Sequence, residues 1–293
     1  MKVLLISVVT LFISVICSGQ LILPGEYDVL NLAMSANPYF IDGNGIKSIS
    51  VKIQIKRDGL PLQLSPEQYL TQFNNDGSPH MHYRITELFG KPDTAWTSFS
   101  GQGRFSSQIT CRGTSARSIG YQKIDESTWA ESIEQCPCAG PGRVVKTECR
   151  KQQERLISLN QREPLIEAYT TKTPTGQIFK TDNYEYDDLG FLIGHREFFH
   201  VTRQNIDTEF DYDLEGRLHE VRVSNEITKS QTQFHFEYDA LGNLFSYDEV
   251  KNDKHIRSGE FVLDDTGLPE GVVEQDHKEG TIRMLKFAYT FYD

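Results

Sequence analysis

Residues 212–218 read YDLEGRL, and residues 238–244 read YDALGNL, 26 positions later. The same pattern appears earlier as YDDLGFL at residues 186–192 and, more loosely, as LDDTGLP at residues 263–269. The glycines of the four copies, Gly190, Gly216, Gly242 and Gly267, are separated by 26, 26 and 25 residues. A fixed period of this length is typical of repeat proteins, in which each unit buries its apolar face against the next. The sequence therefore indicates an architecture before it indicates a function.

Each copy of the pattern predicts a β-hairpin. Aromatic and acidic residues alternate before the glycine, as in Phe210-Asp211-Tyr212, so both rings share one face of a half-buried strand and the charge lies on the other. Asp213 and Gly216 then occupy the first and fourth positions of a type I turn, which glycine closes with a positive φ. This is a common three-residue hairpin loop, and it places Tyr212 opposite Leu218.

Polar segments between the hairpins predict return turns at the other end of the sheet. The expected fold is all-β: an antiparallel meander of tandem hairpins with a period of about 26 residues, forming an elongated or curled open sheet. Fainter copies of the pattern continue upstream, where Gly77 and Gly103 are again 26 residues apart. We divide the chain into a signal peptide (1–19), a non-repeat segment (20–49), a degenerate hairpin region with the cysteines (50–160) and the clear hairpin repeats (161–293).

The Y-D-x-x-G-x-L pattern at residues 186–192, 212–218 and 238–244 resembles the YD repeat of Rhs-like proteins. The resemblance is specific over residues 184–268. It implies an extracellular or cell-surface protein of wrapped β-hairpins, of a kind associated with carbohydrate binding, cell-surface contacts or the caging of a toxin. Because the chain is too short to wrap a closed shell and no toxin-like domain follows the repeats, we do not expect a caging role.

The N-terminus has the pattern of a secretory signal peptide. Lys2 precedes an apolar run from Val3 to Cys17, and the small residues Ser18-Gly19 follow. An uncleaved anchor is the alternative, but the run is shorter than the roughly 20 residues that a spanning helix needs. A lipoprotein would be acylated on Cys17, which Ile16 precedes where a small residue is preferred. We expect a secreted, periplasmic or cell-surface protein with no transmembrane segment in the mature chain.

Charge and cysteine content restrict the partners further. With 41 acidic and 30 basic side chains the net charge is −11, so nucleic acid is a poor partner. Cys136 and Cys138 are two residues apart on one strand face, and we expect each to form a disulfide outward, with Cys111 and Cys149 in an order that the sequence leaves open. A zinc site is the alternative, but the C-x₂₋₄-C spacing of zinc knuckles is absent.

The sequence contains no nucleophile elbow, zinc-protease helix, phosphate-binding loop or dinucleotide fingerprint. We therefore expect no enzyme, no cofactor and no metal. Phe199, Phe245 and Tyr247 have the opposite parity to the buried rings, so they are the candidate ligand-binding patch, unless the apolar segment from Leu21 to Met34 covers them. The expected function is a structural or protein-interaction scaffold, with a carbohydrate-binding module as the alternative, and the partner is an unknown protein or glycan at the cell surface.

Overall fold

The computed structural model describes residues 38–88, 91–100, 107–140, 143–162 and 165–292. The predicted signal peptide, with Cys17, and the apolar segment from Leu21 to Met34 lie outside the described residues, as does the predicted turn at Gly103. In the described part of the chain, no helix is long and apolar enough to cross a membrane.

A short helix, α1 (Pro38–Gly43), precedes a long succession of β-strands. The strands of the first half are β1 (Ile46–Lys56), β2 (Gln63–Phe73), β3 (Pro79–Leu88), β4 (Lys91–Ser100), β5 (Ser107–Arg112), β6 (Ser115–Lys123), β7 (Thr128–Gly140), β8 (Arg143–Val144) and β9 (Arg150–Arg162). The strands of the second half are β10 (Leu165–Lys172), β11 (Ile178–Tyr186), β12 (Leu192–Phe199), β13 (Gln204–Tyr212), β14 (Leu218–Asn225), β15 (Ser230–Tyr238), β16 (Leu244–Lys251), β17 (Lys254–Leu263), β18 (Pro269–Asp276) and β19 (Thr281–Phe291).

The strands form one antiparallel meander that closes on itself. β1 pairs with β2 on one side and with β19 on the other, where Ile53 lies opposite Leu285. The short β8 pairs with β7 at the side of the ring, and β7 pairs directly with β9. The result is an 18-strand barrel. The predicted antiparallel meander is confirmed, whereas the expectation of an elongated or curled open sheet is wrong.

The repeat period could not reveal this closure. Closing a sheet requires strand tilt and register stagger to be consistent over every strand of the ring. The total stagger is a property of the whole ring, so the sequence of one repeat does not determine it. One consequence concerns the last strand, which in an open sheet would be an exposed edge able to accept a partner strand. β19 is hydrogen-bonded on both sides, to β18 and to β1, so it is not a free edge.

The predicted Asp-to-Gly turns are confirmed. The N–H of Gly216 donates to the carbonyl oxygen of Asp213 over 3.0 Å. The Asp213 carboxylate in turn accepts hydrogen bonds from the N–H groups of Glu215 and Arg217, at 3.0 and 2.8 Å. Gly216 has a φ of +75°, a conformation that costs a residue with a Cβ about 1–2 kcal/mol. The turns closed by Gly190, Gly242 and Gly267 have the same backbone hydrogen bond and positive φ.

Each of these hairpins has a bulge directly after its turn. In the pairing of β15 with β16, Tyr238 lies opposite Leu244, as predicted, but Glu237 lies opposite Ser246. Phe245 is therefore the extra residue. A bulge of one residue shifts the alternation of faces along the strand beyond it.

The interior of the barrel has an apolar arc and a polar arc. Following the pairings around the ring, the interior positions of β13–β19, β1 and β2 form a continuous core that includes Phe210, Phe236 and Leu285, each at most 4% exposed. The same face of β3–β9 instead carries polar side chains such as Arg84 and Arg117, which are exposed. The repeat tyrosines Tyr212 and Tyr238 are half-buried against this core, while Asp211 and Glu237 on the outer face are exposed, as predicted.

Two disulfides, Cys111–Cys138 and Cys136–Cys149, lie on the outer face of the barrel. Cys111, Ala116 and Cys136 form a lateral row on β5, β6 and β7, and all three are buried. The chain after Cys136 folds back over this row, which brings Cys138 to Cys111 and Cys149 to Cys136. The prediction that Cys136 and Cys138 bond outward is confirmed, and the structure supplies the order that the sequence left open.

Candidate functional site

The three aromatic residues predicted to form a ligand-binding patch do not form one. Phe245 is 47% exposed, whereas Tyr247 is 2% exposed and belongs to the core. Phe199 is half-buried on the interior face, opposite Lys180, whose Nζ lies 5.4 Å from the ring centroid. The bulges explain the difference, because the parity of a strand residue counted from the turn is reversed beyond an extra residue. Phe199 and Tyr247 therefore face inward, and Phe245 is left outside at the bulge itself.

Tyr247 takes part in a buried polar network. Its hydroxyl donates to Oε1 of Glu274 over 2.5 Å, and Glu274 is 1% exposed. The other oxygen of Glu274 lies 3.5 Å from Arg283, which also pairs with Glu67 at 3.1 Å. Burial and the negative charge of Glu274 raise the pKa of the Tyr247 phenol. This tyrosine is a structural residue of the core and offers no exposed platform to a ligand.

A second buried network lies on the interior face of β11 and β12. Nζ of Lys180 is 2.9 Å from Asp182 and 2.6 Å from Glu197, and Nε2 of His195 is 3.0 Å from Asp182. Burial opposes the charge on Lys180 and on Asp182, but their hydrogen bonds outweigh it, so the pKa of Lys180 is raised and the pKa of Asp182 is lowered. The ring of Tyr184 stacks on His195 at 4.6 Å. These side chains therefore provide one another's ion-pair and hydrogen-bond partners on the interior face of the barrel.

The outer face of β11–β14 presents a polar groove of about 670 Å³, which we call the outer groove. Its floor is formed at Gly194, which pairs with Glu185 on one side and with Glu209 on the other. A Cβ added at Gly194 would come into ordinary van der Waals contact with the Glu185 side chain, at 3.4 Å, so Glu185 lies directly beside the bare backbone at this position. The charged residues lining the groove are Glu185, Arg196, Asp207, Glu209, Asp211, Glu220 and Arg222.

The outer groove is net negative, because its acidic side chains outnumber its two arginines. Arg196 donates to Asp207 over 2.5 Å, and Arg222 contacts Glu220 and, at 3.2 Å, Glu209. The hydrogen bonds that both guanidinium groups donate to these carboxylates raise the pKa of Arg196 and Arg222. Glu185 and Asp211 are exposed on either side of these pairs. The groove therefore has negative charge in excess of its internal ion pairs, and that charge faces solvent.

Metal-ligating residue types also converge on the outer wall, at Glu134, Cys136 and Cys149. The sulfur atoms of Cys136 and Cys149 are joined in a disulfide, and only a thiolate is an effective ligand. The cluster is thus explained by the disulfide and by a neighbouring carboxylate.

The sequence contained one signal for the outer groove that the turn pattern obscured. Gly194 is a glycine in the interior of a strand, not at a turn. Such a glycine often marks a bulge or a close approach of another group. The acidic residues Glu185 and Asp211 were predicted correctly as outer-face residues, but the sequence did not show that they flank a concavity.

No established protein family matches this sequence, and no curated protein matches it. Among solved structures, the chain is similar to a porin-like protein from Bacteroides uniformis, with a TM-score of 0.40 and 10% identity over 84% of this chain and 97% of that one. It is also similar to a LolA superfamily protein from Nitrosomonas europaea, with a TM-score of 0.27 and 8% identity over 85% of this chain and 87% of that one. A third similarity is to the Tc holotoxin pore of Photorhabdus luminescens, with a TM-score of 0.30 and 9% identity over 78% of this chain and 16% of that one. At these TM-scores the function has to be inferred from the residues of this chain.

Proposed function

We propose that this protein is an exported, non-catalytic binding scaffold whose outer groove binds a basic segment of a partner protein. The observation that carries the proposal is the excess of carboxylates around the floor at Gly194. Glu185 and Asp211 stand exposed beside ion pairs that already use both arginines of the groove. A cleft lined mainly by one sign of charge attracts and orients a partner of the opposite sign.

The barrel suits such a role because the groove rests on rigid elements. All the groove residues lie on paired strands β11–β14, and side chains on strands are held more precisely than side chains on loops. The buried network of Lys180, Asp182 and His195 lies on the other face of the same strands and fixes them from inside. Partner binding should therefore require little rearrangement of the backbone.

An exported location is part of the proposal. Disulfides persist in oxidising compartments, and this barrel has two of them, Cys111–Cys138 and Cys136–Cys149. The apolar run at residues 3–17 and the resemblance of the hairpins to YD repeats support the same location. We place the protein in the periplasm, at the cell surface or in the secreted fraction.

Carbohydrate binding through the repeat sheet is less well supported. That reading required an exposed strip of aromatic rings, and of the three residues proposed for it Tyr247 is buried and Phe199 faces inward, which leaves Phe245 exposed. A single ring at a bulge is a small platform for a sugar chain.

The proposal is tested with fluorescent peptides and the mature, disulfide-bonded protein. A lysine- and arginine-rich peptide should bind, with an affinity that falls as salt rises, and an acidic peptide should not compete for the outer groove. The double variant Glu185→Gln/Asp211→Asn should bind the basic peptide roughly tenfold more weakly, since exposed ion pairs contribute up to about 1 kcal/mol each. Fluorescence anisotropy measures both affinities.

The matched control is Glu260→Gln combined with Glu237→Gln, which removes two exposed outer-face carboxylates outside the groove. If both double variants lose affinity equally, binding of the basic peptide depends only on the net charge of the barrel, and the outer groove is not the binding site.

A further inference from the structure

Cations that face the barrel interior are paired with carboxylates at many positions around the ring. Within the described part of the chain, Arg155 pairs with Glu131 at 3.3 Å, and Arg283 pairs with Glu67 at 3.1 Å. The other interior cations with carboxylate partners are Arg112 with Asp93, Lys180 with Asp182 and Glu197, and Arg257 with Glu249. Five cations on this face are thus paired with carboxylates, at separate places around the ring.

Arg84, Arg117 and Arg150 depart from this arrangement. Their registers place all three on the interior face of the polar arc: Arg84 lies opposite Ala95, and Gln135 lies opposite both Arg117 and Arg150. None of them forms an ion pair with any residue of the described ranges. All three are exposed, so their guanidinium groups reach solvent inside the barrel. We call these three residues the basic mouth.

The basic mouth lies near one end of the barrel. Because neighbouring strands are antiparallel, the turn at Gly113 between β5 and β6 lies at the end opposite the turns closed by Gly190 and Gly216. Arg117 follows the Gly113 turn closely, and Arg150 begins β9 at the same end. Arg117 and Arg150 flank Gln135 across two strand spacings, about 10 Å, and the whole set from β3 to β9 extends over roughly 24 Å.

We propose that the basic mouth binds an extended acidic peptide segment of a partner protein. Carboxylates are the groups with which this barrel already pairs five other interior cations, so aspartate and glutamate side chains of a peptide are suitable partners for the three arginines. Arginine suits this role because its planar guanidinium binds a carboxylate through two parallel hydrogen bonds. A span of roughly 24 Å corresponds to about seven residues of extended chain. The neutral side chains of Thr97, Thr110 and Gln135 lie between the arginines. Thr97 and Thr110 hydrogen-bond to each other and Gln135 donates to Ser115, and the hydroxyl and amide oxygens have further lone pairs with which to accept from a peptide backbone.

This site is distinct from the outer groove, since it lies on the opposite face of the wall, on other strands, and takes a ligand of the opposite charge. Failure of a basic peptide to bind the outer groove and failure of an acidic peptide to bind the basic mouth are therefore separate results.

The test uses the mature, oxidised protein and a fluorescent ten-residue peptide in which glutamate alternates with threonine. We expect saturable binding that weakens with salt, and little binding of a three-residue version that cannot span the arginines. The triple variant Arg84→Gln/Arg117→Gln/Arg150→Gln should bind the long peptide at least roughly tenfold more weakly. Replacing the same three residues by lysine should restore only part of the affinity, because lysine keeps the charge but loses the bidentate geometry.

The matched control is Lys52→Gln/Lys56→Gln/Lys286→Gln, which removes three exposed cations from the outer face of β1 and β19 and leaves the basic mouth intact. Unchanged thermal unfolding shows that both triple variants are folded. An equal loss of affinity in the two triple variants would overturn the proposal. Equal binding of an oligophosphate matched to the peptide in charge and length would also overturn it, since the basic mouth would then bind any polyanion and not specifically an acidic peptide.

Discussion

The hydroxyl of Tyr238 at the end of β15 donates a hydrogen bond of 2.7 Å to the main-chain carbonyl oxygen of Leu218 at the start of β14. The bond recurs along the sheet from Tyr186 to Ile166, from Tyr212 to Leu192 and from Tyr289 to Pro269, each 20 residues apart in sequence. The tyrosine of the repeat therefore joins one hairpin to the one before it. Leu263 occupies the corresponding position in the loosest copy and has no hydroxyl with which to make this bond.

Replacing Tyr238 by phenylalanine removes this hydrogen bond and keeps the ring. We expect the free energy of unfolding to fall by about 1 kcal/mol, the usual net value of one hydrogen bond. Tyr238→Ala also removes the packing of a half-buried ring and should cost about 3 kcal/mol, toward the lower end for aromatic truncation. Urea denaturation measures both values. A phenylalanine variant as unstable as the alanine variant would show that the hydroxyl, and not the ring, carries the contribution of this residue.

The same tyrosines predict a loss of stability at alkaline pH. Burial, helped by the charge of Asp187, raises the pKa of Tyr212 to about 12, whereas an unfolded tyrosine has a pKa of about 10. A raised pKa stabilises the fold fully below the unfolded value, and the stabilisation is lost as the pH rises through the folded value. Unfolding free energies measured in urea should therefore fall between about pH 10 and pH 12.

The matched variant is Tyr212→Phe, which cannot ionise. It should be less stable than the natural protein at neutral pH because the bond to Leu192 is lost, and the difference should shrink through the same pH window. A difference that stays constant up to about pH 12 would mean that Tyr212 ionises equally in the folded and unfolded chains.

The local parts of the fold were predictable because they depend on residues close together in sequence. Asp213 and Gly216 define their turn chemically, and the turn type places Tyr212 opposite Leu218. The choice of disulfide partners was also predictable, since Cys136 and Cys138 share a strand. Their order was not, because it depends on how the chain after Cys136 folds back over the outer face.

The features that could not be predicted depend either on the register of the whole ring of strands or on a single irregular residue within one strand. Closure through β1 and β19 depends on the register of the whole ring. The extra residue at Phe245 reverses the face of Tyr247, so a parity count that ignored the bulge assigned a core residue to the surface. The outer groove depends on Gly194, which only the neighbouring strands reveal as the floor of a concavity.

Gly259 should not tolerate a side chain. A Cβ at this position would lie 2.2 Å from Cε1 and 2.7 Å from Cζ of the Tyr247 ring, so the ring would have to move and would lose its bond to Glu274. We expect Gly259→Ala to lower the free energy of unfolding by about 3 kcal/mol, from overpacking and from a buried carboxylate left without its donor. The control is Gly43→Ala, where an added Cβ meets nothing within 4 Å.

A double-mutant cycle tests the cause of this effect. Tyr247→Leu removes both the ring that clashes and the hydroxyl that binds Glu274, so adding Gly259→Ala to it should cost much less than in the natural protein. Additive effects of the two substitutions would contradict the proposed clash. The cost of the Cβ at Gly259 would then not come from the Tyr247 ring.

The disulfides should contribute to stability according to the loops that they close. Cys136–Cys149 joins residues 13 apart and Cys111–Cys138 joins residues 27 apart. The chain-entropy relation assigns about 3 kcal/mol to the shorter loop and slightly more to the longer one. We expect Cys136→Ser/Cys149→Ser to lower the free energy of unfolding, and Cys111→Ser/Cys138→Ser to lower it slightly more. Urea denaturation of the mature protein measures both losses. Under reducing conditions the natural protein should become at least as unstable as either variant. Peptide mapping without reduction checks the pairing directly, and a fragment linking Cys111 to Cys136 would contradict it.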